Sequence, residues 1–285
     1  HENKKTRKNK NTNLYMLQNN RILIKFANIM ITSKVINFIV KWLKDYAKSS
    51  NINGFVIGIS GGIDSAVTST LAAKTGLNIL CIEMPINQKK NQISRSKKHI
   101  KWLKKEYKNV KNLEIDLSSL YKSFIETLPK KFQSNKLACA NTKSRLRMVT
   151  LYQIAQVENF LVLGTGNKIE DFGIGFFTKY GDGGVDLSPI ADLLKSEVYM
   201  IAEKLQITQE IILAPPTDGL WDDDKTDEEQ IGATYDELEW AMNLKNQNKL
   251  SEKQKKILDI YNYFNQKNKH KMTEIPVCII PDSLR

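Results

Sequence analysis

Cysteine is scarce in this chain of 285 residues: Cys81, Cys139 and Cys278 are odd in number and far apart. Such a set supplies neither a disulfide framework nor a CxxC metal or redox pair, and a reducing, cytoplasmic setting is the expectation. Histidine is equally sparse. His1, His99 and His270 have no zinc-ligand spacing, so any metal must be held by oxygen. Long apolar runs are missing too. The best, residues 22–31, is interrupted by Lys25 and Asn28, and no run reaches 18 apolar residues, so no membrane partner is expected.

Positive charge is what the chain has in excess, with 43 Lys and Arg against 31 Asp and Glu. A net +12 raises the question of nucleic acid, but its distribution answers it. Residues 1–29 carry Lys4, Lys5, Arg7, Lys8, Lys10, Arg21 and Lys25 against Glu2 alone, which is half of the excess. That stretch is Asn/Lys-rich and lacks hydrophobic periodicity. The expected organisation is a basic, disordered extension over 1–29 and one domain over 30–285, with no nucleic-acid partner.

Within 30–285 the periodicity alternates. Val35, Ile36, Ile39, Val40, Leu43 and Tyr46 recur at helical spacing behind Thr32 and Ser33. An apolar strand follows over 54–59, then a Gly-rich turn, then a helix over 66–74 stopped by Gly76. Further strands are read at 77–83, 113–116 and 160–165, with helices at 92–107 and 136–158 between them. This alternation implies an α/β fold, a doubly wound parallel sheet with helices on both faces. Ligands in such sheets lie beyond the carboxyl ends of the strands. After Asp192 the pattern turns helical, over 193–205, 227–242 and 251–268.

The turn after the first strand is SGGIDS, Ser60 to Ser65. Between a strand and a helix, Gly61 and Gly62 let the backbone approach a ligand, and the Ser60 and Ser65 hydroxyls join helix amides in binding an anion. Asp64 beside phosphates implies a bridging magnesium. The alternative, a plain capped turn, is set aside by that strand–helix context. SGGIDS resembles the pyrophosphate loop of the N-type ATP pyrophosphatases, whose fold is adenine nucleotide alpha hydrolase-like.

Four more stretches bear on the reading. NTKSRLRM, 141–148, puts Arg145 one helical turn from Asn141, where a guanidinium holds phosphate or carboxylate. GTGNKIED, 164–171, sits at a strand end, placing Thr165 for a nucleotide and Glu170 opposite Asp64. FFTKYGDGGVDLSPIADLLKSEV, 176–198, sets an aromatic pair before Lys179, Asp182 and Asp186, with Lys195 opening a helix. PPTDGLWDDDKTDEEQ, 215–230, begins with helix breakers and ends on a capping-box pattern, the mark of a mobile lid.

Together these stretches resemble the ammonia-dependent NAD synthetases, over nearly all of the chain from about Met30. The resemblance implies a ligase. ATP adenylates the nicotinate carboxylate of deamido-NAD and ammonia displaces AMP, with free ammonia as nitrogen source and a homodimer built across the 136–158 helix. It further implies that Gly58, Ser60, Gly61, Gly62, Asp64, Ser65, Thr165, Lys195 and Thr217 bind ATP, and that Asp64 and Glu170 hold magnesium. Arg145, Lys179, Asp186, His270 and Lys271 would then bind deamido-NAD, with Asp64 and Lys195 carrying the catalysis. Asp218-Gly219 departs from the family's usual lid sequence.

Overall fold

The computed structural model of the protein describes residues 32–88, 90–217, 225–245 and 249–285. The expected extension over 1–29 and residues 218–224 of the expected lid lie outside them. The chain opens on α1, Thr32–Ser49, which buries Ile36, Ile39, Leu43 and Ala47, one stripe of a 3.6-residue period. Strand β1, Gly54–Gly58, leads through the Gly-rich turn into α2, Ile63–Ala73. Then come β2, Asn78–Glu83, α3, Lys90–Glu106, β3, Val110–Glu114, and α4, Ser118–Thr127. The long α5, Lys136–Glu158, precedes β4, Phe160–Val162.

The four strands pair in the order β3-β2-β1-β4, parallel throughout. The period of two along β1 sends Phe55 and Ile57 into one core with Leu43, Leu71 and Leu103, and Val56 into another with Ile82, Met148 and Leu151. Helices thus cover both faces, as the alternation implies. The strand order reverses between β1 and β4, and the crevice beyond their carboxyl ends is the place such a sheet offers a ligand.

Several local expectations need correction. Strand β4 ends at Val162 rather than 165, since the chain turns off the sheet after one more parallel bridge, Leu163 to Leu187. Strand β3 starts at Val110, three residues before the expected start. Helix α4 was not expected; the Asp116 carboxylate accepts the Ser118 N–H at 2.8 Å and starts it. The stretch 227–242 is two helices, α8, Asp227–Ile231, and α9, Tyr235–Met242. Gly232, at φ +86°, ends the first, and Thr234 with Glu237 forms the capping box that starts the second.

The remaining α-helices among the described residues are α6, Lys195–Lys204, α7, Gln209–Ile212, and α10, Glu252–Met272. Among the described residues no helix is long and apolar enough to cross a membrane.

Candidate active site

The crevice between β1 and β4 is a cavity whose wall the Gly-rich turn builds from one side. Gly61 adopts φ +82°, a conformation that favours glycine. The two serines fasten the turn: their hydroxyls lie 3.1 Å apart, Gly62 donates its N–H to Ser60 Oγ at 3.2 Å, and Ser65 Oγ donates to the Gly62 carbonyl at 3.0 Å. No side chain caps α2, so its amino end faces the cavity unblocked, a setting for an anion. Arg95 of α3 donates to the Gly61 carbonyl at 3.3 Å from behind.

The other side is built after β4. Gly164 and Thr165 line the cavity, and the chain then forms a wide π-helical turn, Ile169–Ile174, that carries Glu170. Asn167, fully buried, organises this turn. Its carbonyl oxygen accepts the N–H groups of Ile169 at 3.1 Å and Glu170 at 3.2 Å, while its amide donates to Asp64 Oδ1 at 3.1 Å.

Between the two sides stands Lys195, the first residue of α6, with a side chain only 3% exposed. Its ammonium meets Asp64 Oδ2 at 2.6 Å and Glu170 Oε1 at 3.1 Å, and lies 4.6 Å from the Tyr235 ring centroid. Burial works against that charge, but the two carboxylates outweigh it and hold Lys195 above the ordinary lysine range. Burial likewise raises the Asp64 carboxyl; Lys195 opposes the rise and Glu170 adds to it. Tyr235 donates its hydroxyl to Glu170 Oε1 at 2.6 Å, and burial and that carboxylate hold the phenol far above its usual range.

Two carboxylates that converge on one cation position form the donor set a magnesium ion takes: hard oxygens, with room for phosphate oxygens to complete the shell. The residues present therefore fit the metal that the sequence implies.

The remaining cavity wall includes Met84, Gln88 and Arg147 on the β2 side and Thr217 on the lid side. Arg147 donates to the Met84 carbonyl at 3.0 Å. Gly58, Ser60, Gly62, Asp64, Ser65, Thr165, Glu170, Lys195 and Thr217 all line this one space, so the structure brings together nearly every residue assigned to ATP or metal.

The five residues assigned to deamido-NAD stand apart from that lining. Four of them form an outer cluster. Arg145 donates to the Lys179 carbonyl at 3.2 Å, Lys179 to the His270 carbonyl at 2.8 Å, and Lys271 to the Phe177 carbonyl at 2.7 Å. Phe177 joins the two regions, since it also lines the cavity and carries the Lys271 ammonium 4.9 Å from its ring centroid. Asp186 is employed elsewhere: Tyr152 donates to its Oδ1 at 3.0 Å and the Val162 N–H to its Oδ2 at 2.8 Å, which ties α5 to the end of β4.

Sequence reasoning assigned no role to Asn167, Arg147 or Tyr235. Asn167 lies inside the quoted GTGNKIED motif, and its type and place were the available signal. Tyr235 gives no local signal, because its partner Glu170 is 65 residues away.

The NAD synthase family model matches residues 35–275. The NH3-dependent NAD synthetase of Mesoplasma florum is 40% identical over 212 residues, covering 74% of this chain and 84% of its own. That of Mycoplasma genitalium is 40% identical over 230 residues, covering 80% and 89%. Among solved structures, an NMN synthetase from Francisella tularensis superimposes with a TM-score of 0.77 at 31% identity, covering 88% of this chain and 98% of that one. The NH3-dependent NAD synthetase from Campylobacter jejuni gives 0.72 at 25% identity, covering 88% and 100%.

Proposed function

The chain belongs to the NAD synthase family, and on that premise we propose that it is a ligase using ATP and ammonia to amidate deamido-NAD, giving NAD, AMP and diphosphate in the last step of NAD biosynthesis. The observation that carries this reading is the pair Asp64 and Glu170, which meets on one buried cation position beside a phosphate-type turn at the β1/β4 switch point.

A carboxylate is a poor acyl donor. Attack of the nicotinate carboxylate on the ATP α-phosphate gives an acyl adenylate and expels diphosphate. Free ammonia then adds to the activated carbonyl, loses a proton and displaces AMP. This chemistry needs no side-chain nucleophile; it needs positioning and charge neutralisation. Gly58, Ser60, Gly61, Gly62, Ser65, Thr165 and Thr217 hold and orient ATP, with the open amino end of α2 toward the phosphates. Lys195 serves as the mobile charge that follows the phosphates. Asp64 and Glu170 hold magnesium, which supplies neutralisation of phosphate charge when bound.

Arg145, Lys179 and Lys271 form a basic surface for the dinucleotide's diphosphate, with His270 at its edge, and Asp186 meets the dinucleotide from its own place between α5 and β4. The chain acts as a homodimer across α5. That helix buries Met148, Leu151 and Ala155 against the sheet but exposes Val149 and Tyr152 on the side that also carries Arg145. Light scattering at micromolar concentration tests this; a monomeric mass with full activity removes the dimer.

The decisive assay supplies ATP, deamido-NAD and ammonium. Equal amounts of NAD and AMP are expected; no NAD, or ADP in place of AMP, sinks the proposal. One finding favours a second acceptor, since the Francisella tularensis NMN synthetase has the higher of the two TM-scores given above. The same assay with nicotinate mononucleotide decides between them by the ratio of the two kcat/KM values.

A further inference from the structure

We propose that Tyr235 is a positioning residue for the amide-forming reaction: its hydroxyl holds the Glu170 carboxylate in place when Lys195 leaves it for the phosphates. The proposal rests on the ligase reading above and adds to it a residue that neither the motifs nor the family resemblance assign.

In the structure Lys195 is shared by both carboxylates, yet each also has a second, neutral partner. Asp64 gives Oδ2 to Lys195 and Oδ1 to the Asn167 amide. Glu170 gives Oε1 to Lys195 and to the Tyr235 hydroxyl. Its Oε2 has no hydrogen bond among the described residues, and Glu170 lines the cavity. If the ammonium moves to the phosphates, Asp64 keeps Asn167 and Glu170 keeps only Tyr235. A carboxylate on a long, flexible side chain would otherwise regain its rotamers, and its oxygens would be lost as fixed ligands.

Tyr235 is itself well fixed. It is 5% exposed and packs with Ile169, Ile174, Ile231 and Leu238. Its N–H is held by the Glu228 carboxylate at 2.9 Å. Helix α9 is anchored to α6 by Glu239, which accepts the Ser196 N–H at 2.8 Å and hydroxyl at 2.7 Å, beside Lys195. The phenol has one proton and two carboxylates near it, Glu170 at 2.6 Å and Asp227 at 3.5 Å, and the shorter contact takes it.

The plain alternative is a core tyrosine that satisfies its hydroxyl wherever it can. Tyr235→Phe separates the two, because it keeps the ring and removes only the donor. Manganese serves as the probe, its affinity measured by electron paramagnetic resonance with a non-hydrolysable ATP analogue bound. Loss of the outer partner of a metal-binding carboxylate is expected to weaken manganese about tenfold. With it, kcat should fall by a similar factor at fixed magnesium and recover in part at high magnesium, while KM for the dinucleotide and the melting temperature stay close to wild type.

Unchanged manganese affinity overturns the proposal and leaves Tyr235 a packing residue. A second comparison guards against an unrelated defect. In a Glu170→Gln background, Tyr235→Phe should add no further loss of manganese affinity, and a full additive loss would overturn the idea equally. If wild type binds manganese tightly and Tyr235→Phe weakens it, but no NAD forms, the positioning stands and the ligase reading fails.

Discussion

Asp64, Glu170 and Lys195 meet one another charge to charge, whereas the outer cations Arg145, Lys179 and Lys271 donate to main-chain carbonyls. The inner group is only half compensated: two carboxylates share one ammonium, and the other donors, Asn167 and Tyr235, are neutral. A carbonyl dipole offsets an ammonium less than a carboxylate does. The outer cluster therefore keeps positive charge for an anionic ligand, while the inner one keeps negative charge for a cation. The difference teaches that one site has two tasks, a preset geometry for chemistry and a receptive surface for binding.

The largest expected effect comes from disturbing the inner carboxylates. Asp64→Asn or Glu170→Gln should lower kcat by on the order of 10³-fold, since each takes charge from the cation position on which transition-state electrostatics depend. The fold should persist, because Lys195 keeps one carboxylate in either variant. Wild-type-like turnover in both would break the comparison at its centre.

Next comes Lys195→Ala. It leaves two carboxylates facing one another in a buried place, where loss of one partner costs roughly 3 kcal/mol of stability. Magnesium should then raise the melting temperature of the variant more than that of wild type, because it replaces the missing charge. Equal melting with and without magnesium would show that Lys195 is not the resident countercharge.

How far the two regions were legible in the sequence follows from the distance between partners. Asp64 and Glu170 sit in unbroken motifs, SGGIDS and GTGNKIED, each placed by a strand that ends just before it, so strand, turn and role could be read together. Helix α5 was readable at both ends because Asn135 caps its start and Asn159, in the left-handed region, closes it. The break at Gly232 was not, since a period near 3.6 continues on both sides of it and only the second capping box marks the new start. The Tyr235–Glu170 bond and the outer cluster join residues 34 to 94 positions apart. No periodicity encodes such pairings; packing of α9 and α10 on the π-helical turn creates them.

Smaller effects belong to the outer cluster. Arg145→Ala and Lys271→Ala should each raise KM for deamido-NAD about tenfold, worth about 1.4 kcal/mol, with kcat within about twofold, the pattern of binding that is equal in ground and transition states. Burial holds Lys271 below the ordinary lysine value, with Asp182 opposing. A fall in kcat at constant KM would move these residues into the inner group and dissolve the distinction.

The smallest effect is expected at His270. Its neighbour Lys271 uses its side chain, reaching the Phe177 carbonyl, but His270 contributes its own carbonyl to Lys179 while the imidazole stays exposed. A backbone carbonyl survives substitution. His270→Ala should therefore leave Lys179 where it is, and kcat/KM for deamido-NAD should change by no more than about twofold, below 0.5 kcal/mol. Steady-state kinetics on the His270→Ala and Lys271→Ala variants side by side check this. A loss at His270 as large as at Lys271 would mean that the ring itself turns to the dinucleotide on binding, and that the outer surface rearranges around its ligand instead of merely receiving it.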